Sequence, residues 1–186
     1  REGNRRAEAM ALINLGLAMK DTGNYEGAAS YYSQGIEILR ELGAAGQLCQ
    51  SLCNAADAEL RLLDDVTEDQ ESRLTQIQAY LDEAKELAPS VGPVALQALW
   101  HCYGSLALAR KDHEEAETYL YRAVAICARH GLRHEAGEAT EALAEINLAK
   151  GLGPTAAKLL GLSRQIRKES GKTRTEPEME RFGRLF

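Results

Sequence analysis

One spacing of small and bulky residues recurs four times along the chain and constrains its fold more than any other feature. After Gly16, a small residue follows twelve positions later, a bulky one four positions further, and a small one three positions beyond that. The four copies are Gly16, Ala28, Tyr32 and Gly35; Ala56, Ile77, Leu81 and Ala84; Gly104, Ala116, Leu120 and Ala123; and Ala144, Ala156, Leu160 and Ser163. The second copy departs from the pattern in two ways, because its first interval is longer and Ile77 stands in place of the second small residue. Because the copies begin 40, 48 and 40 positions apart, the pattern indicates a stack of similar units.

A pair of antiparallel helices explains this spacing. The two backbones approach closely only where glycine, alanine or serine leaves room, and a bulky residue one turn later fills the space beside the contact. Each hairpin leaves an apolar face that the next hairpin covers, so stability accumulates along the stack. The sequence therefore predicts an all-α fold, a right-handed α-solenoid of about four helical hairpins with a C-terminal capping helix.

Periodicity and helix-breaking residues set the expected helix bounds. The helix pairs are predicted at about 7–21 with 25–42, 46–63 with 71–88, 93–110 with 113–130, and 133–150 with 154–169. Pro93 and Pro154 fall near helix starts, whereas Gly131 and Gly151 fall just past helix ends. The hairpins then span about 7–43, 46–90, 93–131 and 133–170 of a single domain over residues 1–186. A tail over 171–186 contains a last helix from about Glu176 to Leu185.

An acidic insertion lengthens the turn of the second hairpin, between Leu63 and Arg73. Thr67 and Gln70 have the spacing of a capping box for the following helix. We interpret the insertion as a solvated linker; an acidic docking loop is the functional alternative.

Charge and hydropathy exclude several classes of protein. The net charge is −6 and the pI about 5.3, so nucleic acid is not the expected partner. The basic residues of the tail are interpreted as a solvated face; they are Arg164, Arg167, Lys168, Lys172, Arg174, Arg181 and Arg184. No apolar run approaches the roughly 20 residues of a membrane span, and no signal peptide opens the chain. We expect a cytoplasmic protein without membrane contact and, since the chain begins at Arg1, part of a longer one.

The residues that could carry chemistry are not arranged for it. Cys49, Cys53, Cys102 and Cys127 form no CxxC pair and are expected to be reduced core or groove residues. The segment Ser170 to Thr173 contains a GKT, but Ile166 occupies the place of the first glycine of a phosphate-binding loop, so a turn after a helix is expected.

No other motif changes that conclusion. His130 and His134 are four residues apart, but Gly131 between them is expected to end the helix. No nucleophile has a recognisable base beside it. The sequence predicts that the chain is not an enzyme and binds no metal or cofactor.

Two stretches resemble a known family. Asn14-Leu15-Gly16, Gly23-Asn24-Tyr25, Ala28, Tyr32 and Gly35 are similar to a tetratricopeptide repeat (TPR), and Trp100, Gly104, Ala116 and Ala123 to a second one. The stretch from Gly131 through Lys158-Leu159-Leu160-Gly161 to Arg181 resembles the C-terminal region of large bacterial regulators, including ATP-binding LuxR-type activators. This resemblance implies a TPR-like sensor or self-association segment of a signal-transduction protein.

The resemblance also implies a concave groove lined by the first helix of each hairpin. The candidate groove residues are Asn14, Leu17, Cys53, Asn54, Asp57, Arg61, His101, Ser105, Glu141 and Glu145. Flanking positions of the same stripe are Met10, Ile13, Lys20, Gln50, Ala98, Cys102, Leu108, Glu138 and Leu148. Asn14 and Asn54 are equivalent, and an amide can donate to and accept from a peptide backbone. A carboxylate clamp is poorly matched, because only Lys20 and Arg61 supply positive charge.

Two functional interpretations remain open at this point. One is a regulatory interaction module that binds a peptide, a protein or a small effector in the groove. The other is a structural role, in which the array forms a homo-oligomer or packs on sibling domains and the groove stays empty. The asparagines and glutamates of the stripe are equally compatible with hairpin stabilisation and an ordinary solvated surface. Burial of Phe182 and Phe186 would indicate a capping tail, and exposure would indicate a contact surface.

Overall fold

The computed structural model describes residues 2–63, 70–171, 174 and 176–185, and this part of the chain is helical without a strand. Its elements are α1 (Glu2–Asp21), α2 (Tyr25–Glu41), α3 (Ala45–Leu62), α4 (Gln70–Leu87), a 3-10 turn (Ala88–Ser90), α5 (Pro93–Ala109), α6 (His113–His130), α7 (Arg133–Ala149), α8 (Gly153–Ser170) and α9 (Glu176–Leu185). The all-α prediction is confirmed. The expected bounds agree to within a residue or so, except that α1 begins five residues earlier than predicted. Most of the acidic insertion, including Thr67, lies outside the described residues.

The helices belong to two compact units. The first unit comprises Arg1–Ala95 with Thr175–Pro177, and the second comprises Leu96–Arg174 with Glu178–Phe186. Within the first, α1 packs on α2, α2 on α3 and α3 on α4; within the second, α6 packs on α7 and α7 on α8. Within each unit, these successive helices contact one another, as a stack of hairpins requires. The assignment of the whole chain to one domain stays a prediction.

The recurring small residues lie where the helices approach most closely. A Cβ atom added to Gly16 would come within 2.7 Å of the Tyr32 ring, and one added to Gly104 within 2.6 Å of Leu120 Cγ. Both distances are shorter than any van der Waals contact, so a side chain at either position would displace the Tyr32 ring or the Leu120 side chain. The other positions of the four copies are buried, apart from the half-buried Leu160. The physical explanation of the sequence pattern is therefore confirmed.

The turns between helices share a local design. Asn24 accepts a hydrogen bond from the Gly27 amide at 2.9 Å at the start of α2, and Asp112 accepts one from the Glu115 amide at 3.0 Å at the start of α6. Such caps satisfy amides that have no partner inside the helix. The left-handed residue of the turn before α2 is Gly23, whereas before α6 it is Lys111 with φ of 63°.

Candidate functional site

A polar surface joins α1 and α3 in the first unit. We call it the α1–α3 face and define it by Asn14, Leu17, Lys20, Asn54, Asp57 and Arg61. Lys20 Nζ lies 3.0 Å from Asp57 Oδ2, and Arg61 Nη2 lies 3.4 Å from Asp57 Oδ1. The carboxylate thereby links the first helices of two consecutive hairpins.

The rest of this face offers neutral groups to a ligand. Asn14 is exposed, and Leu17 keeps 43% of its surface exposed. Asn54 is half-buried, and its side-chain oxygen accepts a hydrogen bond from Gln50 at 3.4 Å. Both positive charges of the face lie against Asp57, so neither is held ready for a ligand carboxylate. The arrangement suits a ligand with amide groups and an aliphatic side chain.

Tyr32 lies beneath this face, fully buried against Gly16. Burial raises the pKa of its hydroxyl to about 12, with the negative charges of Asp57 and Asp21 adding to the effect and that of Lys20 opposing it. The phenol is therefore neutral at physiological pH. It supports the face by packing and contributes no charge to it.

Three residues of the predicted stripe lie inside the hairpins instead of lining an open surface. Cys53 is 1% exposed, and Ile13 and Cys102 are also buried. Ile13 and Cys53 each lie three residues before the first small residue of their copy, on the side of the helix that faces the second helix of the same hairpin. Ile13 accordingly packs against Gly35. In this structure these side chains are not placed to contact a ligand.

The cysteine pair of α3 belongs to the same interior. The Cys49 thiol lies 3.6 Å from the Ala84 carbonyl oxygen, which accepts its hydrogen bond. A hydrogen bond with Cys53 lowers the pKa of Cys49, although burial opposes this shift. All four cysteines are buried thiols outside any disulfide, as the sequence predicted for core residues. Among the described residues, no three histidine, cysteine or acidic side chains are grouped as metal ligands.

In the second unit, Glu141 forms an ion-pair cluster with α8 and the residue that precedes α9. The guanidinium of Arg167 binds both carboxylate oxygens at 2.9 and 3.0 Å, and Ser163 and Arg174 donate further hydrogen bonds to Oε1. Burial opposes ionisation, but these hydrogen bonds and positive charges outweigh it and lower the pKa of Glu141. Glu141 is thus satisfied inside its own hairpin. Its predicted role in a groove has no support from this position.

The same cluster changes the interpretation of the basic tail. Arg167 is 7% exposed, so the expectation of a solvated face is wrong for this residue. The Arg174 guanidinium lies 4.0 Å from the centre of the half-buried Phe182 ring in α9. This contact favours a capping role for the tail within the second unit; Phe186 lies outside the described residues.

The other predicted residues of the second unit are His101, Ser105 and Glu145. All three are half-buried on α5 and α7. Ser105 and Glu145 occupy the repeat position of Leu17 and Asp57, one residue after the first small residue of their copies. His101 occupies the inward position of Ile13 and Cys53. The groove assignment of these residues stays a prediction.

An aromatic cluster between α5 and α6 was not identified from the sequence. Trp100 stacks on Tyr119 with 5.8 Å between ring centres, and Tyr103 lies 5.1 Å from Tyr119. Arg122 lies 5.1 Å from the centre of the Trp100 ring, at a cation–π distance. Aromatic residues three apart on α5, and Tyr119 with Arg122 three apart on α6, are the sequence signal that could have revealed it.

The GKT segment and the pair of histidines lie at helix ends, as expected. α8 ends at Ser170 with Gly171 in a left-handed conformation, while Lys172 and Thr173 lie outside the described residues. α6 ends at His130, and Gly131 closes it before α7 begins at Arg133. His130 and His134 are therefore on different helices. No helix in the described part of the chain is long and apolar enough to cross a membrane.

Comparison with known proteins agrees with the helical repeats. Residues 9–42 match the tetratricopeptide repeat family, a non-enzymatic interaction module whose repeats generally mediate protein–protein interaction. The crystal structure of BtubC (BKLC) from P. vanneervenii is similar with a TM-score of 0.56 and 19% identity, over 89% of this chain and 65% of that chain. The chain therefore spans about two-thirds of that protein, and the likeness concerns the fold alone. No curated protein matches the chain significantly.

Proposed function

We propose that the chain is a non-catalytic interaction module that binds a peptide segment of a protein partner on the α1–α3 face. The observation that carries this proposal is the composition of that face. Asn14 and Leu17 are exposed, whereas Lys20 and Arg61 lie against Asp57. Amides and an aliphatic side chain recognise a peptide backbone with an apolar residue, and because both cations of the face already pair with Asp57, a charged peptide gains no specific contact there.

The family match supports a protein as the partner. Residues 9–42 include Asn14, Leu17 and Lys20, so half of the α1–α3 face lies in the repeat that matches. A small effector of similar chemistry would use the same amides. The resemblance of the C-terminal region to bacterial regulators supports a cytoplasmic signal-transduction setting, in which partner binding is passed to neighbouring domains.

Calorimetry with three synthetic peptide pools tests this function; the pools are neutral, cationic and acidic, each with one central leucine. We expect the neutral pool to bind and neither charged pool to bind more tightly than the neutral one. The double substitution Asn14→Ala plus Leu17→Ala, which removes the exposed amide and the exposed aliphatic side chain, should weaken binding about tenfold, the effect of about 1.4 kcal/mol.

A matched control separates this effect from unspecific loss of surface groups. Gln34→Ala plus Leu15→Ala removes one exposed amide and one leucine of almost equal exposure in the same unit, and neither residue belongs to the α1–α3 face. Binding should persist in this variant. Binding that survives in the Asn14 and Leu17 variant would remove the α1–α3 face from consideration, and a marked preference for either charged pool would contradict its proposed chemistry.

The alternative is a structural homo-oligomer without a groove ligand. Exposed apolar side chains in the second unit favour it, since Tyr121 is 58% and Leu162 49% exposed. Light scattering over a range of concentrations tests this alternative. A monomer at the highest concentration would count against it.

A further inference from the structure

The outer side of α1 carries exposed apolar residues that its repeat equivalents bury. We call this surface the α1 flank and define it by Ala11, Leu15 and Ala18. All three are exposed, and Leu15 keeps 44% of its surface in contact with solvent. They lie four and three residues apart, so they share one side of the helix. This side differs from the α1–α3 face and from the inward side that holds Ala9, Ile13 and Gly16.

The equivalent positions in later hairpins are buried. Counted from the first small residue of each copy, they are Ser51, Ala55 and Ala58 in α3, and Ala139, Leu143 and Ile146 in α7. Each of these six residues is at most 3% exposed. The equivalent surface is therefore buried on α3 and α7, whereas on α1 it is exposed.

The second helix of the preceding hairpin covers those equivalents. In the first unit α2 packs on α3, and in the second unit α6 packs on α7. Leu143 and Ile146 share a core cluster with Leu120, and Val124 packs against that cluster. The covering helix thus presents two aliphatic side chains four residues apart, Leu120 and Val124, to the flank of the next hairpin.

We propose that the α1 flank is a docking surface for a partner helical hairpin whose second helix presents a bulky side chain and, four residues later, an aliphatic one, as α6 presents Leu120 and Val124 and α2 presents Tyr32 and Ile36. The partner helix packs on Ala11, Leu15 and Ala18 as α6 packs on Ala139, Leu143 and Ile146. The small residues at both ends of the flank let the helix approach, and Leu15 inserts beside these two side chains. This surface is separate from the one proposed for peptide binding, so either can fail alone.

A second copy of the chain is a poorer occupant. Its last long helix, α8, places Leu160 and Arg164 at the positions of Leu120 and Val124. Arg164 is exposed, and docking α8 on another α1 would bring its guanidinium against Leu15. Burying a charge without a counter-ion is unfavourable. The partner is therefore a different hairpin, with an aliphatic residue where α8 has arginine.

An extended chain tests whether the flank accepts such a helix. A copy of residues 1–44 is fused directly to Arg5, because Arg5 is the repeat equivalent of Ala45, the residue that follows this segment. The added copy of α2 can then pack on the α1 flank as α2 packs on α3. We expect the Tm to rise by about 5 °C or more, since a docked hairpin adds one more stacking interface.

Two substitutions with matched exposure give the control. Leu15→Lys should abolish the Tm gain of the extended chain and change the Tm of the original chain little. Leu148→Lys alters a leucine of almost equal exposure on α7, in the second unit, and should leave the gain intact. An extended chain with no gain, or a gain that survives Leu15→Lys, would overturn the proposal. A concentration-dependent dimer of the original chain that Leu15→Lys dissociates would overturn the choice of occupant.

Discussion

The first and last hairpins place different chemistry at the same three repeat positions. In the first, Ile13, Gly35 and Leu39 form an apolar contact between α1 and α2, with Ile13 packed directly against Gly35. In the last, the equivalents are Glu141, Ser163 and Arg167, which form a hydrogen-bonded ion pair between α7 and α8. The backbone geometry of the repeat therefore fixes where the two helices meet, but not which kind of interaction joins them.

The apolar contact and the ion pair differ in how much stability is lost when one of their residues is substituted. An apolar contact loses packing in proportion to the atoms removed. A buried ion pair leaves an uncompensated charge, which destabilises the folded state more strongly than the intact pair stabilises it. The last hairpin should therefore tolerate substitution less well than the first at these positions.

The largest effect is expected from Glu141→Gln, which leaves Arg167 and Arg174 facing a neutral amide. We expect the free energy of unfolding of the second unit to fall by about 3 kcal/mol. Urea denaturation followed by fluorescence reports on this unit, because Trp100 is the one tryptophan of the chain. Glu169→Gln is the control, since it removes a surface ion pair with Arg133, keeps an oxygen that can accept the hydrogen bond from Gln165, and should cost less than about 1 kcal/mol. Equal losses in the two variants would contradict the difference drawn between the hairpins.

A smaller effect is expected from Ile13→Ala in the first hairpin. The substitution removes buried methyl groups beside Gly35 and should lower the free energy of unfolding by about 2 kcal/mol. Circular dichroism during urea denaturation follows the helices of both units, and comparison with Trp100 fluorescence isolates the transition of the first unit, which has no tryptophan. A loss larger than that of Glu141→Gln would reverse the comparison.

The pH dependence of stability sharpens the contrast further. Above pH 4.5, the ordinary value for glutamate, Glu141 is ionised in the folded and unfolded chain and the ion pair contributes fully. Below that pH the unfolded chain takes up a proton before the folded chain does, because the folded-state pKa is lowered. Stability of the second unit is then lost as the pH falls through the folded-state pKa. Denaturation of wild type and Glu141→Gln at pH 6 and pH 3.5 should show a smaller loss in the variant, and parallel losses would exclude Glu141 as the source.

The smallest net change in the free energy of unfolding is expected when the last hairpin is given the apolar residue types of the first. Glu141→Ile, Ser163→Gly and Arg167→Leu, combined with Arg174→Ala, replace the ion pair without leaving a charge behind. We expect the free energy of unfolding to stay within about 1 kcal/mol of wild type, because apolar replacements of buried ion pairs are often neutral or stabilising. Fluorescence of Trp100 measures it. A loss as large as that of Glu141→Gln would show that the position itself requires charge.

Much of the fold could be predicted because its determinants are local in sequence. Glycines and capping residues end the helices, and the small residues report close contacts between helices that follow one another. The spacing from Gly16 to Ala28, Tyr32 and Gly35 thus identifies a hairpin without any long-range information. The division into two units rests on how closely the helices pack, which one-dimensional spacing does not record.

The candidate site was harder to predict, because different sides of one helix face the other helix of its hairpin, the neighbouring hairpin and solvent. A stripe counted along the first helix combined outward residues such as Leu17 with inward ones such as Cys53 and Glu141. Residues three before the small residue and one after it are four apart and lie close together on one side of the helix, so spacing alone does not separate the buried Ile13 and Cys53 from the exposed Leu17. The burial of Arg167 was not predicted, because arginine side chains are usually exposed. The contact with Glu141, which explains the burial, is not visible in the sequence.

The contacts at Gly16 and Gly104 bear on how such a chain can diverge. At both positions the opposing side chain lies where a Cβ atom would be, so the distance between the two helices is set by the backbone of one of them. Even alanine at either position requires the helices to move apart or the opposing ring or leucine to rotate. Each glycine therefore sets how closely the two helices approach, and a substitution at either position changes the geometry of the hairpin.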